Sequence, residues 1–529
     1  MNWQLLVLAM AAPLVFAGLV AWRPARDARM IAMTGMLASG VVVLYAMFQF
    51  DWTAPGFQGV GAVTWIETLG LRLGVGVDAV AMLLIGLTAL LGPICVLGSW
   101  TAVTEHHRTF FAWLLVLQTA MIGVFAARDL VLFYICFEFT LIPMYVLINM
   151  FGSSNRKAAA TKFFLFTFTG SIIALAGLVY VVWHQAQHGS WTFDIGVLAA
   201  HAGTMRPSEQ ALVLLALMAG FAVKVPLFPV HTWLPLAHTE APTAGSVILA
   251  GVLLKLGTYA IFRFVLPFAP VAVVEYAPLI GVLSIVGIIY AGLICWVQTD
   301  VKKLVAYSSV SHLGFCVLGL FALNGTGVSG SVLYMINHGL STGALFLLIG
   351  MMYERYHTRS MREVGGLASK MPIWASAMVF FTMASVGLPG LNGFVSEFMC
   401  LLGTFQAGDW HGETGATDLA TFGPWYAAFA GTGMIVAAMY LLYMVGIVVF
   451  GAYREPEGHH AHPVLPTDLN AREIGTLVPL AIGCLVLGIY PTPVLDAIEA
   501  PVADTIQMVR DAQPDGVVTE GMAQREEAH

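Results

Sequence analysis

The chain has 529 residues, of which 59% are hydrophobic and 10% are charged, with a formal net charge of −7 at pH 7. No soluble domain has this composition, so it excludes a soluble enzyme, and we expect no nucleic-acid partner. All six cysteines lie inside apolar runs and form no Cys-x-x-Cys pair, a pattern that predicts neither an iron–sulfur cluster nor a disulfide framework.

Fourteen apolar stretches are each close to or above the ~20 residues that cross a bilayer. They run over residues 3–22, 30–49, 78–102, 109–127, 129–150, 160–184, 210–235, 241–265, 275–297, 302–323, 329–352, 372–404, 424–452 and 473–492. No alternating strand pattern is evident, so we predict an all-α integral membrane protein with about fourteen transmembrane helices. We expect the first span to be retained, because no Lys or Arg precedes it. Segment 50–77 is expected at the surface, and the tail after Pro491 is too polar to span.

Lysine and arginine are divided unequally between alternate loops, and this division indicates orientation. With the N-terminus outside, fifteen of the 23 basic residues face the cytoplasm, Lys302 among them, and six face the outside. The remaining two, Lys224 and Lys255, lie inside spans. We therefore predict a multi-pass protein of the bacterial plasma membrane with both termini on the outer side.

The seventh span contains a lysine beside two prolines. Lys224 lies about halfway through the hydrocarbon, where a charge costs at least ~3 kcal/mol. Pro226 and Pro229 lack an N–H, so we expect the carbonyls of Ala222 and Val225 to lose their helical partners. Because free carbonyls at this depth need protein or water as partners, the stretch predicts an interrupted helix around a buried polar site.

A second interruption is predicted in the twelfth span, at Gly387, Pro389 and Gly390. Residues 222–228 align with residues 385–391, five spans later, so the two copies cross in opposite directions. Paired interrupted helices in inverted halves are typical of a transport pathway at mid-membrane. We predict two inverted five-helix repeats, spans 4–8 and 9–13. The regions are then three N-terminal helices (1–105), a first half-channel (106–268), a second half-channel (269–455), and the last helix with the polar tail (456–529).

Six ionisable residues lie well inside the predicted spans. They are Glu138, Lys224, Lys255, His312, His338 and Glu397. Ten helical residues rise ~15 Å, about half of the hydrocarbon thickness, so these side chains lie near one plane. A Glu–Lys pair ~6 Å apart interacts by about 3 kcal/mol at an effective dielectric of ~20, comparable with the ~2.3 kcal/mol that one charge needs per 100 mV. The row predicts a lateral proton relay.

Structural alternatives exist for most of these residues. Lys255 could extend its amine to the membrane surface only if it were near a helix end, and it is not. Glu138 and Lys224 could form an ion pair that only ties two helices together. His312 and His338 could be hydrogen-bonded core residues between helices. A separate run, residues 459–462, contains three histidines, and a solvated loop is a better interpretation of it than a metal site.

Several stretches resemble the antiporter-like membrane subunits of proton-pumping NADH:quinone oxidoreductase, respiratory complex I. They are Phe137–Tyr145, Ala158–Thr167, His231–Gly251, Asp300–Gly314, Tyr353–Arg359 and Gly387–Phe398. Within that family the chain is similar to the subunit M (chain 4) group. Glu397 stands where the sister subunits L and N typically carry lysine, and segment 468–473 also resembles subunit M.

The resemblance implies a role for each residue. Glu138 and Lys224 would form the coupled pair of the first half-channel, and Lys255, His312 and His338 would connect the halves. Glu397 would donate protons toward the outside. NADH, FMN, iron–sulfur clusters and quinone would belong to partner subunits, with subunits L and N as neighbours. The rival functions are a subunit of a multi-subunit cation/proton antiporter or of a membrane-bound hydrogenase, and a purely structural membrane spacer.

Overall fold

The computed structural model describes residues 1–408, 419, 422–456 and 467–513; the histidine run at 459–462 lies outside these ranges. Among the described residues, thirteen helices are long and apolar enough to cross a membrane. In order, spans 1–11 are Trp3–Trp22, Ala25–Gln49, Ala79–Gly98, His107–Ala126, Leu130–Phe151, Arg156–His188, Pro207–Lys224, Thr243–Phe268, Pro270–Trp296, Val301–Leu320 and Gly325–Tyr356, and spans 13 and 14 are Gly423–Val448 and Ala471–Ile489. The region of span 12 holds two helices of 15 residues each, Pro372–Val386 and Asn392–Gln406.

Several of these spans contain irregular turns. Span 5 divides into Leu130–Phe139 and Leu141–Phe151. Span 8 is a series of α-helical pieces, Thr243–Ile248, Leu254–Ala260 and Leu266–Phe268, separated by two π-helical turns, Leu249–Leu253 and Ile261–Val265. Span 2 begins with a 3₁₀ turn, Ala25–Asp27. Shorter elements outside the spans are the helix Ile195–Ala202 and the 3₁₀ turns Glu67–Leu69 and Leu367–Ser369.

The helix of span 7 ends at Lys224, and a short helix, Leu234–Glu240, follows it. As expected, the Ala222 carbonyl has no partner at Pro226, which lacks an N–H; it accepts instead the N–H of Leu227, five residues on, at 2.8 Å. A side chain satisfies the next carbonyl: the Trp233 indole donates to the Val223 oxygen at 2.9 Å. Tryptophan thus replaces a missing helical donor inside the protein.

In the region of span 12, the first helix ends where Gly387 adopts a left-handed conformation, with φ of 82°. Its N–H donates to the carbonyl of Met383, which closes the helix end as left-handed glycines commonly do. Gly390 is also left-handed, with φ of 91°, and the second helix begins at Asn392. Only glycine adopts this conformation without a steric cost, so the two glycines set the direction of the chain between the helices.

The prediction of a chain without strands is wrong. Strands β1 (Gln58–Ile66) and β2 (Leu71–Val77) form an antiparallel hairpin within segment 50–77. The apolar residues of β2 do alternate: Leu71, Leu73, Val75 and Val77 are separated by Arg72 and two glycines. The tail also contains a helix, Thr492–Asp511, whose apolar side packs against the ends of spans 3, 9 and 11.

Loops separate onto two opposite faces of the molecule. At one face, the segments after spans 3, 9, 11 and 13 contact one another; these contacts are Thr101–Glu354, Asp300–Ser360 and Gly365–Arg454. The other face joins β2, the loop after span 4, the loop after span 6 and the tail; its contacts are Val75–Ala127, Asp129–Asp194 and Gln513–Pro270. Burial raises the pKa of Asp129 at this second face to about 6, and the nearby Asp194 carboxylate adds to the rise.

The core lies around spans 8, 10 and 11. Spans 8 and 11 are buried along their whole apolar length, and 89% of the apolar part of span 10 is buried, whereas most residues of spans 1, 2 and 14 are not buried within the chain. Lys255, His312 and His338 belong to these three central spans. They are therefore surrounded by protein and not by lipid. The four-region division at residues 105, 268 and 455 stays a prediction, as do the inverted repeats.

Candidate functional site

Lys255 lies between the two π-helical turns of span 8 and is fully buried. Such turns widen a helix locally and occur frequently at functional sites. The Lys255 Nζ is 2.7 Å from Nδ1 of His338 on span 11, and it also donates to the Ala250 carbonyl. Two unit charges 2.7 Å apart would repel by about 6 kcal/mol at an effective dielectric of ~20, so the lysine and the histidine are not both protonated to the cationic form.

A second cluster surrounds Glu397, on the second helix of span 12. Its Oε1 is 2.9 Å from Nδ1 of His312 and accepts the hydroxyl of Tyr334. Tyr334 is also 2.7 Å from the same His312 nitrogen. A β-carbon at Gly387 would lie 2.8 Å from Glu397 Oε2, so the interruption leaves room for this carboxylate. Glu397 is 1% exposed, and a buried carboxylate needs such partners.

The two clusters meet at the histidines. The rings of His312 and His338 are 5.9 Å apart, and neither Nε2 atom has a hydrogen-bond partner within the described ranges. Both rings line a cavity of about 10 Å³, together with Tyr334 and Ser385. A cavity of this size holds about one water molecule. One water could therefore bridge the lysine–histidine pair and the glutamate cluster.

Asparagines fix the second helix of span 12 against span 11. Asn337 donates from its side chain to the Asn392 carbonyl at 2.7 Å and to the Ser396 hydroxyl at 3.1 Å. Asn392 donates in return to the Asn337 carbonyl at 3.1 Å. The side chains of Asn337, Asn392 and Ser396 are all buried, so breaking one of these hydrogen bonds would leave a buried polar group without a partner. This network positions Glu397, the residue after Ser396.

Glu138 and Lys224 form a separate group. Lys224 is 3% exposed, and its Nζ is 3.4 Å from the Thr140 hydroxyl and 4.5 Å from the centre of the Phe137 ring. Among the described residues, Lys224 forms no ion pair within 4.0 Å, and the two carboxylate oxygens of Glu138 have no hydrogen-bond partner. The two side chains still interact electrostatically. The group adjoins span 8, because a β-carbon at Gly257 would lie 2.8 Å from the Val225 amide nitrogen.

Of the six predicted residues, the structure thus brings four together, Lys255, His338, His312 and Glu397, and places two apart. The sequence analysis missed Tyr334, although its spacing of four residues from His338 puts both on one face of span 11. It also counted Lys302 with the loops, whereas this lysine belongs to span 10 and is 6% exposed. Among the described residues, no three His, Cys, Asp or Glu side chains are grouped as metal ligands.

Comparison with known proteins places this geometry in a family. The transmembrane family described as "NADH:quinone oxidoreductase/Mrp antiporter, TM" matches residues 127–416. The NADH-quinone oxidoreductase subunit M of Rhodobacter capsulatus is 42% identical over 495 residues, which are 91% of both chains. The chain belongs to the subunit M family of NADH:quinone oxidoreductase.

Solved structures related to subunit M share the architecture. A chain of respiratory complex I from Thermus thermophilus superposes with a TM-score of 0.83 at 29% identity, covering 95% of this chain and 99% of that one. A chain of the Mrp complex from Dietzia sp. has a TM-score of 0.80 at 21% identity, covering 96% and 99% of the two chains, and shows the fold alone. The multi-pass membrane fold predicted from the sequence is confirmed.

Proposed function

We propose that this subunit M family member translocates protons across the membrane as part of an NADH:quinone oxidoreductase. The observation that carries the proposal is the buried series Lys255, His338, His312 and Glu397, in which each neighbour lies within hydrogen-bond or single-water distance. Redox energy would come from partner subunits, since the series contains groups that exchange protons and none that exchange electrons.

The charges of the series fit proton movement better than a static brace. The Lys255–His338 pair holds at most one positive charge, whereas a charge on His312 would lie 2.9 Å from the Glu397 carboxyl oxygen. A proton that moves from the first pair to His312 therefore gains a counter-charge.

Glu138 and Lys224 are proposed as a coupled pair that acts on the series from span 7. Because the break after Lys224 packs on span 8 at Gly257, two residues beyond Lys255, a movement of the chain around Lys224 would be passed to the part of span 8 that carries Lys255. The half-channels around spans 4–8 and 9–13 are part of this proposal.

The protein would lie in a bacterial plasma membrane with both termini outside. The support is the segregation of loops onto two faces, together with the fifteen-to-six division of basic residues. Its partners would be the other membrane-arm subunits, including the neighbours L and N. The lipid-exposed apolar faces of spans 1, 2 and 14 leave ample surface for lipid and for these contacts.

The test is purification of the complex through a tag on this chain, followed by reconstitution into vesicles. NADH:quinone reductase activity should copurify, and NADH with quinone should drive proton uptake that requires no sodium. The rival function, a cation/proton antiporter, predicts no NADH oxidation and proton movement driven by an imposed sodium gradient. Copurification of antiporter subunits with that second behaviour would overturn the proposal.

A further inference from the structure

We propose that Tyr334 is a further catalytic residue of the relay, whose hydroxyl turns between His312 and Glu397 as a proton passes from the imidazole to the carboxylate. This inference rests on the proposed relay and deepens it, because it assigns a role to a tyrosine that the sequence analysis missed. Three features carry it: the contact of one hydroxyl with two titratable groups, the burial of that contact, and the packing that fixes the helices around it.

The Tyr334 hydroxyl, Nδ1 of His312 and Oε1 of Glu397 all lie within hydrogen-bond distance of one another. The hydroxyl oxygen is 2.7 Å from Nδ1, Nδ1 is 2.9 Å from Oε1, and the hydroxyl donates to Oε1. A hydroxyl has a single hydrogen to donate, and it turns this hydrogen to suit its neighbours. A tyrosine that served only as a brace would face one acceptor, whereas this hydroxyl faces two groups that exchange protons.

The two proton states of the pair use the hydroxyl differently. When His312 is an imidazolium and Glu397 a carboxylate, Oε1 accepts both the Nδ1–H and the tyrosine O–H. When the proton passes on, the Nδ1–H bond breaks, an O–H bond forms at Oε1, and both groups become neutral. The bare Nδ1 then accepts the tyrosine O–H, whose own covalent bond stays intact, and the tyrosine oxygen accepts the new O–H of Glu397. The hydroxyl thus donates to the charged carboxylate before the transfer and to the bare nitrogen after it.

Burial makes this donor important. Tyr334 is 4% exposed and Glu397 is 1% exposed, and Oε2 of Glu397 has no hydrogen-bond partner in the part of the chain that the structure describes. The described partners of the carboxylate therefore all lie at Oε1. Because burying a charged carboxylate is costly unless donors surround it, loss of the tyrosine hydroxyl would make the charged state of Glu397 harder to reach.

Packing leaves the hydroxyl hydrogen as the part that moves. Asn337 lies three residues after Tyr334 on the same face of span 11, and it exchanges two hydrogen bonds with Asn392 at the start of the second helix of span 12. The Tyr334 ring packs edge to face against the rings of His312 and His338, with centres 6.1 and 6.5 Å apart. The switch therefore needs no movement of a helix or a ring.

The first test removes the hydroxyl and keeps the ring. Tyr334→Phe should assemble normally, but its NADH-driven proton uptake into inverted vesicles should fall about 10- to 100-fold, the loss expected for one hydrogen bond to a charged group. Tyr276→Phe, which changes a half-buried tyrosine of span 9 outside the series, is the matched control and should pump like wild type. Wild-type uptake in Tyr334→Phe would overturn the proposal.

The second test distinguishes a slower proton transfer from a smaller amount of active complex. The rate of uptake is measured in H₂O and in D₂O for the wild type and for Tyr334→Phe. The ratio of the two rates should be larger in the variant, because the slowed transfer from His312 to Glu397 then limits turnover. Reduced uptake with an unchanged ratio would show that the hydroxyl only supports the structure, and it would overturn the proposal.

A Lys255→Met variant separates the role of Tyr334 from the relay itself. If Lys255→Met abolishes uptake and Tyr334→Phe pumps normally, the hydroxyl switch is wrong and the relay stands. If Lys255→Met itself pumps normally, the proposed function of the series fails, and the switch fails with it.

Discussion

Replacing Glu397 by glutamine tests the outer end of the series. The change keeps the shape of the side chain and one oxygen that accepts the hydroxyl of Tyr334 and faces His312. It removes the negative charge and the exchangeable proton. Losing charge-assisted character in these two hydrogen bonds costs about 1–2 kcal/mol of stability, so the complex should still assemble.

The effect on proton transfer should be much larger. At 2.9 Å, the Coulomb attraction between a carboxylate and a cationic imidazole is about 6 kcal/mol at an effective dielectric of ~20, before the cost of burying both charges is subtracted. If only half of this, about 3 kcal/mol, appears in the barrier, transfer slows roughly 100-fold. Glu397→Lys keeps a titratable group and should retain more activity than Glu397→Gln.

The assay is NADH-driven proton uptake into inverted vesicles, normalised to assembled complex on a native gel. Coupled NADH oxidation should fall with uptake, because a blocked pump holds back electron transfer. Glu275→Gln, which changes an exposed carboxylate on span 9, is the matched control and should have no effect. If Glu397→Gln pumps at the wild-type rate, Glu397 is not part of the proton path.

Further predictions concern the Lys224–Glu138 group, the membrane topology and the buried Asp129. Lys224→Ala and Glu138→Ala should each sharply reduce NADH-driven proton uptake while the complex still assembles, and Glu138→Asp should keep part of that uptake. Normal pumping in both alanine variants would exclude Lys224 and Glu138 from the relay. Impermeant reagents should reach tags at residues 26 and 361 only from the cytoplasmic side and a C-terminal tag only from outside, and a C-terminal tag found inside would contradict the topology. Asp129 has a folded pKa of about 6, above its unfolded ~3.9, so the stability that its protonated form contributes is lost as pH rises through 6. As the pH rises from 4 to 7.5, the folding stability of Asp129→Asn should therefore increase by about 1–2 kcal/mol relative to wild type, a figure that includes a discount for partial solvation. Thermal unfolding of the purified complex measures this difference, and a difference that does not change with pH would contradict the prediction.

The spans were predictable because bilayer thickness fixes their length. Thirteen of the fourteen predicted spans correspond to described helices that are long and apolar enough to cross a membrane, and the exception carries the glycines and proline that the sequence analysis singled out in span 12. The hairpin was missed although β2 alternates in the usual way. Its seven residues stand beside long apolar runs, so the period of two was hidden within a hydrophobic background.

Depth could be predicted for the site residues, but partners could not. The rise per residue along a helix places Lys255 and His338 near one plane, whereas their contact depends on how spans 8 and 11 pack against each other. The same limit explains why Glu138 and Lys224, predicted at similar depth, form a group separate from the central series. Lys302 was taken for a loop residue because it lies at the start of span 10, and only tertiary packing buries it.

The central claim is that protons pass through Lys255 and that its charge alone is not sufficient. The most direct measurement is the number of protons taken up per NADH oxidised by vesicles containing a Lys255→Arg variant, compared with wild type at equal content of assembled complex. The account predicts a loss as large as that of Lys255→Met, because arginine keeps the charge without releasing the proton. Wild-type uptake in the arginine variant would show that a fixed charge is enough and would contradict the relay.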